Sequence, residues 1–391
     1  HFGSSTWGVV ASIRLAMGRH PSSSSAGLAA VVAACSGALA VQRWACGHGA
    51  TCWLRASSLR TRSALRGRPA GRLERRLWSL SAAQPSGQRV AAAASVAEEY
   101  PAQALHAGLF APDGVDDWVL PELLRALQPW HEGGDPSAID VAALPEVRVD
   151  APGIVSFAFF QKSFCERLLD EVRHYTEDSR FPQVAPNSMN RYGAVLNEIG
   201  MRPAFSRLLQ RYLLGLGARL FGDEGVRAES LGGVPLGTDN WGGSTLSDHH
   251  TFVVRYQPDR DRGLDMHVDE CDVTFNFGLT DSSEFLGGDL VFCGMFGNES
   301  YRRQHLAYRN EVGRCVVHAG KRRHAVAPVE AGERASLVMW TKSILWRMTE
   351  EYKEKCGDIV AGRKALPPEA GRPDPVCLSL THDRDYLQWA R

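Results

Sequence analysis

Residues 251–279 read TFVVRYQPDRDRGLDMHVDECDVTFNFGL, and the reading of this stretch decides the fold. Two runs of β-branched and aromatic residues, Thr251–Tyr256 and Val273–Leu279, flank a turn-rich middle. Similar runs follow at Asp289–Phe292, Arg314–Val317, His324–Val329 and Ala335–Trp340, each bounded by turn residues. Short strands at that spacing predict a barrel or sandwich. Upstream the period changes. Phe164, Leu168, Leu169 and Val172 recur at helical spacing within Ser163–His174, where Ser163 and Glu166 read as a capping box. A second helical stretch runs from Pro203 to Leu220. Helices followed by strands predict an α+β domain over 151–347, in which helices (163–222) brace a small β-barrel (251–343).

The flanks differ in charge. The 391 residues carry 44 basic and 44 acidic side chains, a length that suits two or three domains. Before Glu98 stand twelve Arg, no Lys and a single acid, Glu74, which leaves a net charge of −11 from Glu98 onward. So acidic a body repels a phosphate backbone and argues against non-specific nucleic-acid binding. Residues 1–97 read as a disordered targeting leader, rich in Arg, Ser and Ala. Within it the apolar run Ala26–Val41 is short for a membrane span and suits a signal-peptide core. A plastid leader of two parts and a mitochondrial presequence are the competing addresses, and the secretory pathway is a third. There the sequon Asn298-Glu299-Ser300 would matter. No other segment approaches transmembrane length. Residues 98–150 read as an acidic linker with one helix over Asp116–Leu127, and 348–391 as a tail with a short helix near Glu350–Lys355. Of nine cysteines, Cys165, Cys271, Cys293, Cys315, Cys356 and Cys377 lie beyond the leader without CxxC or zinc-finger spacing, so ordinary buried thiols are expected.

Among thirteen histidines one starts an HxD, His267-Val-Asp269. Chance alone supplies about one such match. Two further residues give it weight. His324 follows Asp269 after 54 intervening positions, and Arg334 follows His324 by ten. A strand places i and i+2 on one face, so His267 and Asp269 can reach one point. Two His and one carboxylate on one face of a metal form the triad of non-haem Fe(II) oxygenases. A 2-oxoglutarate would fill two open positions and O₂ the third, while its distal carboxylate needs a permanently charged fork such as Arg334. An even offset of ten across a hairpin keeps His324 and Arg334 both facing inward. Ser336, two residues on, can add a hydroxyl to that carboxylate.

Phe252 to Tyr256, Leu264, His267-Val-Asp269, Thr274-Phe-Asn276 and Leu279 resemble the 2-oxoglutarate/Fe(II) oxygenase superfamily, in its prolyl 4-hydroxylase and procollagen lysyl hydroxylase type. Gly287-Gly288-Asp289-Leu290, His318 to His324 and Gly332-Glu-Arg334 continue the match in order. Pro186-Asn-Ser-Met-Asn-Arg-Tyr-Gly193 resembles a signature of the "2-oxoglutarate and iron-dependent oxygenase domain-containing" branch. The resemblance covers Ile154 to Arg347. It implies a double-stranded β-helix (jelly roll) with Fe²⁺ held by His267, Asp269 and His324, and 2-oxoglutarate gripped by Arg334 and touched by Tyr256. It also implies O₂ as oxidant and ascorbate as the reductant that returns over-oxidised iron to Fe(II).

Each residue has a plainer reading. His318 is the rival third ligand, although the Arg at +10 favours His324. Tyr256 can be a core aromatic, and Thr274 and Asn276 are expected to satisfy backbone groups in the barrel. His249-His250, after Asp248 at a strand entrance, suit a cap or a surface role. The Asn187–Gly193 segment reads as a loop held by Asn side chains, with lining of the substrate cleft as the alternative. Lys321-Arg322-Arg323 reads as a solvated turn, or as a patch that steers an acidic substrate.

These residues predict an Fe(II)- and 2-oxoglutarate-dependent dioxygenase. It would hydroxylate an unactivated C–H bond of a protein lysyl or prolyl side chain, or of a small molecule, and release succinate and CO₂. A catalytically inactive jelly-roll binding protein leaves the retention of all four residues without a reason. A zinc hydrolase leaves Arg334 unexplained and lacks a general base.

Overall fold

The computed structural model describes residues 96–178, 180–222, 230–236, 240–297, 300–357 and 373–381. All but the last two residues of the leader, Asn298 and Glu299 of the sequon, and most of the tail lie outside them.

The longer helices are α1 (Pro121–Gly133), α2 (Lys162–Glu177), α3 (Arg202–Leu208) and α4 (Leu214–Phe221), and short ones follow the barrel at Ile344–Arg347 and Glu350–Tyr352. The strands are β1 (Arg148–Ala151), β2 (Ile154–Ala158), β3 (Gly193–Val195), β4 (Ser230–Leu231), β5 (Val234–Pro235), β6 (Asp248–Tyr256), β7 (Leu264–His267), β8 (Val273–Gly278), β9 (Phe285–Gly287), β10 (Leu290–Met295), β11 (Leu306–Tyr308), β12 (Arg314–Ala319), β13 (Arg322–Val326), β14 (Val329–Gly332) and β15 (Arg334–Lys342). The larger sheet has the order β1-β2-β12-β8-β15-β6-β3 and the smaller β11-β10-β13-β7. From β6 onward the chain crosses between them: β6 large, β7 small, β8 large, β10 and β11 small, β12 large, β13 small, β15 large. All these pairings are antiparallel. That alternation is the winding of a double-stranded β-helix.

Alternation along single strands assigns the two faces. On β8, Val273, Phe275 and Phe277 join a core shared with Phe164, Leu168 and Val172 of α2. On β6, Val253 joins that core, while Phe252, Val254 and Tyr256 pack between the sheets with Leu290, Phe292 and Val326. β8, β10 and β12 are buried along their whole length, as strands covered on both faces must be. Each large apolar side chain buried this way contributes about 1.5–3 kcal/mol.

Several local expectations are corrected. The predicted helix over Asp116–Leu127 divides into a 3₁₀ turn, Pro112–Trp118, and α1, because Pro121 has no N–H to donate and starts a new helix. α2 begins at Lys162, and Ser163 and Glu166 form no capping box. Gln161 precedes it in extended conformation and sends its amide to the carbonyls of Asp117 and Val119 (3.0 and 3.1 Å). The predicted helix Pro203–Leu220 is broken by a π-helical turn at Leu209–Leu213. The run from Ile154 supplies a strand of the larger sheet. Stretch 98–150 is packed, with Tyr100, Trp118, Leu123 and Leu127 in the same core as α2.

Cys165, Cys271, Cys315 and Cys356 are buried free thiols as expected, but Cys293 and Cys377 are not: they form a disulfide across 84 positions. Lys321-Arg322-Arg323 is no solvated turn either. Arg322 and Arg323 are buried, and Arg322 donates to the carbonyls of Cys293 (3.1 Å) and Pro152 (2.5 Å). Among the described residues no helix is long and apolar enough to cross a membrane.

Candidate active site

The two sheets face each other across a cleft. Its apolar walls include Phe252, Leu264, Leu290, Val326, Val338 and Trp340. Into it reach His267, Asp269, His324, Tyr256 and Arg334.

His267 ends β7 and His324 lies on β13; the two are cross-strand partners, with ring centroids 4.3 Å apart. Asp269 stands on the turn just beyond β7, where its N–H donates to the carbonyl of Gly320 (2.8 Å). Its Oδ1 lies 3.5 Å from Nε2 of each histidine. Ligand bonds of about 2.1 Å at right angles put neighbouring donors about 3 Å apart, so a small inward shift closes all three on one ion. Among the described residues this is the one His/Cys/Asp/Glu group able to hold a metal.

The hydrogen bonds behind the two histidines fix which ring atoms face the cleft. His267 Nδ1 lies 2.7 Å from the carbonyl of Asp265, and His324 Nδ1 lies 2.9 Å from that of Arg322. A carbonyl accepts only, so each Nδ1 carries the proton and each Nε2 keeps its lone pair for a metal. Thr274 Oγ1 donates to Asp269 Oδ2 at 2.5 Å and leaves Oδ1 facing the histidines.

Arg334 opens β15 directly opposite Tyr256 on β6, with its guanidinium 5.3 Å from the tyrosine ring centroid. It is 1% exposed, and its Nε and Nη2 have no hydrogen-bond partner. A buried guanidinium with two free donors in a cleft is matched to a carboxylate. The residues therefore fit both Fe²⁺ and a 2-oxo dicarboxylate. Burial pushes the Tyr256 hydroxyl up to about 12, so it stays a proton donor.

Other expected residues fall elsewhere. Ser336 is not among the cleft walls; its short side chain accepts from Asn310 Nδ2 at 3.0 Å. His318 is wholly buried and outside the metal group, with Nδ1 2.9 Å from the carbonyl of Ala319 and its ring edge-on to His324. Burial draws it down to about 3, which keeps it neutral. His249 is neither cap nor surface residue: it is buried between Ser206 and Thr251 (3.0 and 2.7 Å), while Asp248 pairs with Arg202. Thr274 and Asn276, expected to serve the barrel, line the cleft. Their signal was two polar side chains, i and i+2, on one face of an otherwise apolar strand. Asn187 and Asn190 also line it, on a loop held by Asn side chains as expected.

An OGFOD2-like domain matches residues 103–226. The chain is 28% identical over 262 residues to 2-oxoglutarate and iron-dependent oxygenase domain-containing protein CP2 of Arabidopsis thaliana, covering 63% of this chain and 58% of that one. It is 35% identical over 185 residues to 2-oxoglutarate and iron-dependent oxygenase domain-containing protein 2 of Homo sapiens, covering 47% of each. The chain thus spans about half the length of the curated relatives it matches. A prolyl 4-hydroxylase structure from Phytophthora capsici superposes with a TM-score of 0.35 at 17% identity, covering 54% of this chain and 66% of that one. By these matches the chain is similar in sequence to the 2-oxoglutarate and iron-dependent oxygenase domain-containing proteins, and its residues 103–226 match the OGFOD2-like domain.

Proposed function

We propose that the protein is an Fe(II)- and 2-oxoglutarate-dependent dioxygenase that hydroxylates an unactivated C–H bond. The observation that carries this reading is the pairing, in one cleft, of the His267–Asp269–His324 triad with the unpartnered guanidinium of Arg334. Bound iron would supply, with 2-oxoglutarate and O₂, the oxidising chemistry, with succinate and CO₂ released.

The chain's own residues bind and orient. His267 and His324 present lone pairs fixed by their Nδ1 bonds, and Asp269 presents one oxygen while Thr274 holds the other. Arg334 takes the distal carboxylate of 2-oxoglutarate, with Tyr256 beside it in the cleft. Leu264, Leu290, Val326 and Val338 keep the cleft wall dry and suit an aliphatic group. The substrate in this proposal is a protein lysyl or prolyl side chain, a class taken from the resemblance of the motifs. Ascorbate as the reductant and delivery to a plastid or mitochondrion belong to the same proposal.

The test needs no substrate. Mixed anaerobically with Fe(II) and 2-oxoglutarate, the protein should develop a visible metal-to-ligand charge-transfer band. The band should be lost in His324→Ala, be weakened at equal 2-oxoglutarate in Arg334→Ala, and survive in His318→Ala. No band in the folded, iron-loaded parent would end the dioxygenase reading.

A further inference from the structure

The loop before β3 is built around amides whose orientation the backbone dictates. Asn187 Oδ1 accepts from the N–H groups of Met189 (2.9 Å) and Asn190 (2.8 Å), so its Nδ2 must be the donor toward Asn190. That Nδ2 meets Asn190 Oδ1 at 3.1 Å, and the Tyr256 hydroxyl reaches the same oxygen at 3.5 Å. Two donors on one side leave Asn190 no freedom to flip, and its Nδ2 is the atom turned away from them. The side chain is 1% exposed, lines the cleft, and its Nδ2 has no partner. A buried N–H without a partner costs about 1–3 kcal/mol, which a bound acceptor recovers.

The loop is held in place from outside the cleft as well. Asp261 accepts from the N–H groups of Arg191 (2.6 Å) and Tyr192 (3.2 Å). Gly193, at φ +139°, packs where any Cβ would meet the Val253 carbonyl at 1.9 Å. The Asn190 amide is therefore a fixed donor rather than a mobile one.

We infer that Asn190 is a second anchor for 2-oxoglutarate, donating Nδ2 to the carboxylate that Arg334 grips. The inference rests on the proposed dioxygenase reading and adds a residue to it. Its place follows from Tyr256, whose ring lies against Arg334 and whose hydroxyl lies against Asn190. Arginine and asparagine so present donors from two separate elements, β15 and the loop before β3, to one anionic group, with the Tyr256 hydroxyl spent on orienting the amide.

The test titrates the full-length protein with 2-oxoglutarate under anaerobic Fe(II), following the charge-transfer band. Asn190→Ala should weaken 2-oxoglutarate by about tenfold to hundredfold, with Fe(II) affinity and Tm near the parent's. Asn190→Asp keeps the shape and the acceptor toward Asn187 and turns the donor into an acceptor; it should weaken 2-oxoglutarate at least as much, and it decides the matter if the alanine variant fails to fold. In a Tyr256→Phe background, with no hydroxyl to orient, the Asn190→Ala loss should persist. Unchanged 2-oxoglutarate affinity in a folded Asn190 variant overturns the assignment, and so does a loss that vanishes with Tyr256→Phe, which would make Asn190 only a positioning residue. A parent without any band overturns the dioxygenase reading itself, and with it this one.

Discussion

The carboxylate of Asp265 holds Thr381 twice, through its N–H at 2.8 Å and its hydroxyl at 2.5 Å. It also accepts from the Ser379 hydroxyl (2.7 Å) and the Leu380 N–H (2.9 Å). Burial would raise this carboxyl, but the hydroxyls and N–H groups around it outweigh burial and hold it near 2. The carbonyl of the same residue receives His267 Nδ1, so the stretch 373–381 is fastened two residues away from a proposed metal ligand. The Cys293–Cys377 disulfide and a hydrogen bond from Arg323 to the Cys377 carbonyl (3.2 Å) fasten it a second time. Asp265→Ala should therefore free the segment and loosen His267, and weaken Fe(II) binding by about tenfold to hundredfold. A metal titration checks this directly, and unchanged affinity would remove any link between the tail and the site.

The disulfide makes a separate prediction, about stability rather than metal. Cys377→Ser should lower the unfolding free energy by about 3 kcal/mol, measured by denaturant titration in oxidising buffer. Dithiothreitol should bring the parent down to the variant. If the parent is insensitive to reductant while the variant is destabilised, packing at Cys377 matters and the covalent link does not.

Thr274 offers a clean test of how Asp269 is oriented. Thr274→Val keeps the shape and removes the hydroxyl that occupies Asp269 Oδ2. Fe(II) affinity should fall by about tenfold, and Thr274→Ser should restore most of it. Equal losses in the valine and serine variants would point to packing instead.

Much of this site was legible because its main residues obey short-range rules. His267 and Asp269 are two apart and His324 and Arg334 ten apart, and these short spacings mark the site even though Asp269 lies on the turn beyond β7 and no hairpin joins His324 to Arg334: β13 and β15 belong to different sheets, and β14 between them pairs with β9. The barrel strands stand out because burial on both faces makes them apolar runs. What escaped reading depends on distant partners. Nothing near Cys293 marks Cys377 as its partner, and nothing near Asp265 marks Thr381. Asn190 needed the backbone of its own loop before its donor could be aimed. The capping box failed because α2 starts at Lys162, which places Ser163 inside the first turn rather than at the cap.

Glu171 ties the segment before α1 to α2. It is fully buried and accepts from the Tyr100 hydroxyl (2.5 Å) and the N–H groups of Leu105 (3.2 Å) and His106 (2.6 Å). Glu171→Ala leaves those donors without a partner and should cost about 2–4 kcal/mol by denaturant titration. Proteolysis should then begin within residues 98–110. Protection equal to the parent's would show that Tyr100 and Leu109 hold the segment through apolar packing alone.

His249 should set part of the acid limit of stability. Burial draws it down to about 4 from an ordinary value of 6.5, with Arg202 and His250 adding to the shift and Asp248 opposing it. Unfolded, it takes a proton as pH falls through 6.5; folded, between Ser206 and Thr251, it stays neutral until about 4. Between those values the unfolded chain binds more protons, so stability is full above pH 6.5 and falls on acidification. The loss approaches roughly 3 kcal/mol by pH 4. His249→Asn, which has no proton to gain, should flatten that part of the curve relative to the parent. The difference between the two curves isolates His249 from His318, which burial also keeps neutral in both proteins. Parallel curves between pH 6.5 and 4 would show that His249 takes up its proton as readily in the folded state as in the unfolded one.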